Sequence, residues 1–179
     1  MGDVEFVRYH GEEAAKALSD EYAGAYSVIY SEPPYHGGPL FSRDRFLERT
    51  RAQVEQAGFE LLAALDAGTG ALAGFSFGLT FGEDRWWGGE VSEAPAEVKA
   101  VPDVAVIELV LLPAYRGHGH GKRLLAEFVA PRPEPYATLL SHPDAPAHAM
   151  YEHWGWQVVG TCRPAPDAPV MDVMVLDRR

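Results

Sequence analysis

Cysteine is almost absent. Cys162 stands alone among 179 residues, so no internal disulfide can form, and a reducing compartment such as the cytoplasm is expected. Lysine is nearly as scarce, found only at positions 16, 99 and 122. Arginine carries most of the positive charge, which together with abundant Ala, Gly and Pro is expected of a bacterial gene with GC-rich codons. Positive charge is itself in deficit: 15 Lys and Arg face 26 Asp and Glu, a net charge of −11. Such a surface repels nucleic acid, which is excluded as a partner, and can attract cationic amines. No apolar run approaches the length of a membrane span. The start, Met1 to Phe6, is acidic and lacks both the basic lead of a signal peptide and the residue pattern of a myristoylation site. No membrane partner is therefore expected.

What is present is ordinary for a globular protein, with 47% hydrophobic and 11% aromatic residues. The length and the absence of repeats predict one domain over residues 1–179. The spacing predicts a strand at Val4–Tyr9 and a helix from Glu12 to about Ile29. Ser31–Ser42, with three Pro and two Gly, reads as a loop. Ser42 and Asp44 can cap a helix carrying Phe46, Leu47 and Val54. Phe59–Leu65 and Ala71–Phe81 read as a hairpin, with Phe75, Phe77, Leu79 and Phe81 on one face. Gly82–Asp103 is a long acidic connection without periodicity, the kind of loop that is usually functional. Further on come a strand from Val104, a helix from Gly119 to Ala130, a strand at Tyr136–Ser141, a helix at Ala145–His153, and strands at Gln157–Thr161 and Val170–Leu176. This alternation indicates a mixed α/β sheet with helices on both faces.

The chain is organised around Val104–Leu125. An apolar β-branched run, interrupted by Glu108, ends at Pro113. Arg116-Gly117-His118-Gly119-His120-Gly121 follows, and then Lys122, which opens a helix. Strand, glycine loop and helix N-terminus in that order can cradle a phosphate, because the first helical N–H groups are unpaired and alternating glycines let several of them converge. Arg116 and Arg123 stand where a Walker loop needs Gly and Ser or Thr, and the spacing is not that of a dinucleotide fingerprint. His118 and His120 have no cysteine nearby and no helical i,i+4 partner, so no metal is expected.

The loop matches, at each fixed position, the Arg/Gln-x-x-Gly-x-Gly/Ala pattern of the GCN5-related N-acetyltransferase (GNAT) superfamily. Downstream, Ala147, Tyr151 and Gly155 fall in register with that family's Asn-x-x-Ala-x-x-x-Tyr-x-x-x-Gly-Phe segment, Asp144 standing for Asn and Trp156 for Phe. The chain thus resembles the GNAT superfamily over about its C-terminal half. The resemblance implies an α/β GNAT-like domain. Its central mixed, mostly antiparallel sheet would be splayed between two parallel strands, those of Glu108 and Leu139, with acetyl-CoA in the gap. It implies an acetyl-CoA-dependent N-acetyltransferase. Backbone groups of Leu109, Val110, Leu111 and Leu112 would meet the pantetheine. Gly117, His118, Gly119, His120 and Gly121, with Arg116 and Lys122, would hold the pyrophosphate. Asp144, Ala147 and Tyr151 would complete the cofactor site, although an Asp at 144 loses the Asn side-chain N–H and can instead cap the helix.

Glu108, an acid in an apolar strand, is the expected general base, the alternative being a buried Glu paired with an Arg. Tyr151 is the expected general acid, the alternative being a packed aromatic. Cys162 has no histidine in a nucleophile arrangement, so transfer is expected to be direct. The acceptor site is expected to take Tyr30, Tyr35 and His36 from one loop and Trp86 and Trp87 from another, next to Glu108. With Glu83, Asp84, Glu90 and Glu93 these would suit a small-molecule amine, an antibiotic or a metabolite. Protein or peptide acetylation and a non-catalytic acyl-CoA-binding module are the alternatives, and pairing as a homodimer is left open.

Overall fold

The computed structural model describes residues 2–179. Its elements run β1 (Val4–His10), α1 (Gly11–Ala17), α2 (Asp20–Tyr30), α3 (Arg43–Gln53), β2 (Glu60–Asp66), β3 (Leu72–Phe81), β4 (Glu90–Val91), α4 (Ala96–Lys99), β5 (Asp103–Leu111), α5 (His120–Val129), β6 (Tyr136–Ser141), α6 (Pro146–His153), β7 (Gln157–Arg163) and β8 (Met171–Asp177). The described strands form one sheet in the order β1-β2-β3-β5-β6-β8-β7-β4. Every pairing is antiparallel except β5 with β6. This is the mostly antiparallel GNAT-like sheet with one parallel pair that the sequence resemblance implies.

Alternation along β3 separates two cores. Phe75, Phe77, Leu79 and Phe81 point toward α2 and α3, where Tyr22, Tyr26 and Phe46 meet them. The opposite face is covered by Leu124, Leu125 and Phe128 of α5 and by Tyr151 of α6. Burying each such large side chain contributes about 1.5–3 kcal/mol, which fixes strand register as well as stability.

Two expectations are corrected. The single helix predicted from Glu12 is two helices, because Leu18 and Ser19 adopt extended backbone between them. Serine favours that non-helical position, and Asp20 and Glu21 then supply negative charge at the start of α2. The connection Gly82–Asp103 is not wholly irregular. It carries β4 to the far edge of the sheet, where Glu90 pairs with Arg163 and Val91 with Cys162, and it returns through α4. A Cβ at Gly89 would lie 2.2 Å from the Arg163 carbonyl oxygen, so only glycine permits this approach. Two residues of strand are too few to leave a periodic signal.

The sheet opens where function is expected. β5 and β6 pair only at Val104 with Ala137 and Ala105 with Thr138; beyond these pairs they diverge. On its other side, β5 shifts register against β3: Phe77 lies opposite Glu108, but Gly78 lies opposite Val106. Ile107 is therefore an extra residue, a bulge that re-aims the side chains after it.

Candidate active site

The gap between β5 and β6 is a cavity of about 240 Å³. Ile107, Leu109 and Leu111 form one wall, Leu139 to Ser141 the other, and Ala147, Met150 and Tyr151 of α6, with Trp154 just after it, complete the lining. Tyr30 and Tyr35 border it from the α2 end, and Arg116 and Gly121 from the glycine loop. Past Ala105 the gap-facing edge of β5 has no partner strand among the described residues, leaving backbone groups for an extended ligand. Leu109 and Leu111 face the cavity, whereas Val110 is buried in the α2/α3 core and the Leu112 N–H is taken by the Ala73 carbonyl.

The glycine loop has the shape its sequence predicts. Gly117 (φ 80°) and Gly119 (φ 78°) take left-handed backbone, and Gly119 is the N-cap of α5. Among the described residues, no hydrogen bond takes up the backbone N–H groups from Gly117 to Lys122. Those donors and the α5 dipole make a ready anion site. His118 and Lys122 are exposed, while His120 is buried and its Nδ1 has no partner among the described residues. No group of three or more His, Cys, Asp or Glu side chains that could hold a metal occurs among the described residues. Arg116 reaches back across the cavity mouth to Glu32, at 2.9 Å.

Glu108 is 7% exposed. The Tyr30 hydroxyl donates to its Oε2 at 2.7 Å, and the Arg49 guanidinium stands 4.0 Å from Oε1. Burial pushes the carboxyl up to about 7, with Arg49 and the Tyr30 hydrogen bond opposing. Arg49 is itself anchored, donating to the Tyr26 hydroxyl at 3.0 Å and to the Leu40 carbonyl at 2.7 Å. The bulge is pinned by Ser76, whose hydroxyl donates to the Glu108 carbonyl at 2.8 Å. Tyr151 is equally buried, its ring held edge-on by Trp154 at 5.8 Å and tilted against Trp156. Burial, then the proximity of Tyr35 and Glu108, raises its phenol well above the ordinary range, so it stays protonated.

The acceptor residues predicted from sequence divide. Tyr30 stacks on Phe41 (4.9 Å between ring centroids), and Tyr35 packs against Tyr30 and edge-on to His142. His36, in left-handed backbone, is exposed beyond them. Trp86 and Trp87 do not line the cavity. Trp87 packs edge-on against Phe81 and donates to the Thr138 hydroxyl at 3.0 Å, while Trp86 packs with Val98, Tyr136 and Val175. They secure the β3–β5 connection over the sheet. Asp144 is exposed, and the cap of α6 is Ala145, so no helix-capping role falls to Asp144. Cys162 donates to the Gly88 carbonyl, and burial raises its thiol. The sequence reading missed Arg49, Tyr26 and Ser76. The i,i+4 pair Tyr26 and Tyr30 was the one available signal, two hydroxyls on one helical face.

The model described as acetyltransferase (GNAT) family matches residues 16–156. A comparison with curated proteins gives no match. Among solved structures, one assigned to the GNAT family from Desulfovibrio desulfuricans superposes with a TM-score of 0.62 at 14% identity, covering 98% of this chain and 99% of that one. Arabidopsis thaliana NAA60 in complex with a bisubstrate analogue gives 0.63 at 15% identity, covering 97% and 99%. PaiA N-acetyltransferase from Thermoplasma acidophilum, in complex with coenzyme A, gives 0.51 at 17%, covering 98% and 99%. At these identities the likeness is one of fold.

Proposed function

The chain belongs to the acetyltransferase (GNAT) family, and from that premise we propose that it moves an acetyl group from acetyl-CoA directly to the primary amine of a small molecule. The observation that carries this reading is the splayed β5–β6 gap. It has N–H groups without a partner among the described residues at one end and, at the other, Tyr30, whose hydroxyl donates to the buried Glu108 carboxylate behind it. These residues fit the cofactor. The N–H groups of Gly117 to Lys122 would hold its pyrophosphate, the free edge of β5 from Leu109 to Leu111 its pantetheine, and Ala147 leaves room at the α6 wall. Arg116 would add charge once it turns from Glu32. When bound, acetyl-CoA supplies the acetyl thioester.

The chain's own residues supply the proton chemistry. An alkylammonium has a pKa around 10.4 and must lose a proton before it can attack. Glu108, brought near neutrality by burial, is matched to receive it. Tyr151, held protonated, is suited to deliver a proton to the departing sulfur. The aromatic cluster of Tyr30, Tyr35 and Phe41 at the acceptor end suits an amine through cation–π contact. Acetylation of a peptide is a second reading, favoured by a likeness in fold to the NatC complex bound to Gag peptide and CoA.

The test is thiol release from acetyl-CoA over a panel of phenethylamine, histamine, spermidine and short peptides. Turnover with a small amine supports the proposal. Turnover with peptides alone would replace it with the second reading. No turnover, with no rise in melting temperature at millimolar acetyl-CoA, would remove the acyl-CoA reading itself.

A further inference from the structure

Glu108 does not wall the cavity. Its neighbours Ile107 and Leu109 do, and so does Tyr30. Both carboxylate oxygens are turned toward α2 and α3: Oε2 accepts from the Tyr30 hydroxyl at 2.7 Å, and Oε1 faces Arg49 at 4.0 Å. Tyr30 is thus the lining residue whose side chain is hydrogen-bonded to the carboxylate. Resting on Glu108 as the base, we propose that Tyr30 is a catalytic proton relay, taking the proton of the acceptor amine on its hydroxyl oxygen while passing its own proton to Glu108.

The step balances. The ammonium N–H bond breaks as a new O–H bond forms at Tyr30 Oη. The former Tyr30 O–H bond breaks as an O–H bond forms at Glu108 Oε2. The products are a neutral amine with a free lone pair, an unchanged tyrosine and a neutral glutamic acid, which later returns its proton to solvent. The surroundings suit a relay that bridges without storing charge. Tyr30 stacks on Phe41 and packs at tilted angles against Tyr26 and Tyr35. Burial and the adjacent Glu108, Tyr26 and Tyr35 raise its phenol well above the ordinary range, so a standing phenolate is disfavoured. Arg49, pinned by Tyr26 and the Leu40 carbonyl, keeps the receiving carboxylate turned to Tyr30. The aromatic contacts hold the ring with its hydroxyl on Glu108 Oε2.

The experiment uses acetyl-CoA and the fastest small amine of the panel above. On the wild-type protein, the dependence of kcat on the deuterium content of the solvent should be curved, because two protons move together. In Tyr30→Phe, kcat should fall by about a hundredfold, while the amine KM and the acetyl-CoA melting shift stay within about twofold of wild type, and the deuterium dependence should become linear. A linear wild-type dependence overturns the relay without requiring any variant to fold. So does a Tyr30→Phe protein that keeps its kcat. Glu108→Gln separates the two ideas: an inactive Glu108→Gln beside a fully active Tyr30→Phe leaves the base standing and removes the relay, whereas a fully active Glu108→Gln removes the base, and the relay with it.

Discussion

Asp103 and Glu108 share strand β5, both are buried, and burial pushes both carboxyls up to about 7. They differ in their partners. Glu108 has a tyrosine hydroxyl on one oxygen and a guanidinium near the other, whereas neither oxygen of Asp103 has a partner among the described residues. Only Glu108 stands at the open end of the strand. Asp103 lies beside the β5–β6 pairing, with Glu134 raising it further and Arg85 opposing.

That difference predicts a pH dependence of stability. Asp103 has its carboxyl raised from 3.8 in the reference state to about 7 in the fold, so the folded state holds a proton that the unfolded state has lost between those values. Its contribution is therefore full below about pH 4 and is lost as pH rises toward 7. Asp103→Asn should flatten this fall and raise stability at pH 8 by about 1–2 kcal/mol, measured by urea denaturation across pH.

Glu108→Gln should lower kcat/KM by about 10²–10⁴-fold with the melting shift by acetyl-CoA retained. In the wild type, kcat/KM should climb as pH rises through about 7, because only the deprotonated carboxylate accepts a proton. A rate flat from pH 5.5 to 8 would contradict this.

Tyr151→Phe should bind acetyl-CoA as the parent does and turn over about ten- to a thousandfold more slowly. Its ring packing against Trp154 and Trp156 needs no hydroxyl, so melting temperature should hold. Unchanged turnover would leave Tyr151 as a packed aromatic only.

Gly119→Ala tests the cradle. A Cβ there meets nothing within 4 Å among the described residues, but the backbone sits at φ 78°. The left-handed conformation costs about 1–2 kcal/mol for a residue with a side chain. Relief of that strain should rotate the N–H groups at the start of α5 and weaken acetyl-CoA binding, read by titration calorimetry.

Trp87→Phe should cost about 1 kcal/mol in urea unfolding, through loss of the hydrogen bond to Thr138. The amine KM should not move, since Trp87 lies outside the cavity. A raised KM with unchanged stability would return it to the acceptor site.

Local chemistry is what the sequence by itself determined. The apolar run, Pro113, the alternating glycines and the helix after them specify strand, turn and N-terminus through neighbouring residues alone, and the fold places them so. Alternation set the face of Phe75, Phe77, Leu79 and Phe81, and Ser42 caps α3 by accepting from the Arg45 N–H. Tertiary structure alone decided the rest. Tyr30 and Glu108 are 78 positions apart, and no periodicity relates a hydroxyl on α2 to a carboxylate beyond a bulge in β5. The bulge itself depends on register against β3, and the gap depends on β5 and β6 parting after two pairs. Trp87 shows the same limit in reverse. Its aromatic, loop-borne setting suggested a ligand wall, but Thr138 from a distant strand offered the buried N–H a partner, and packing claimed it.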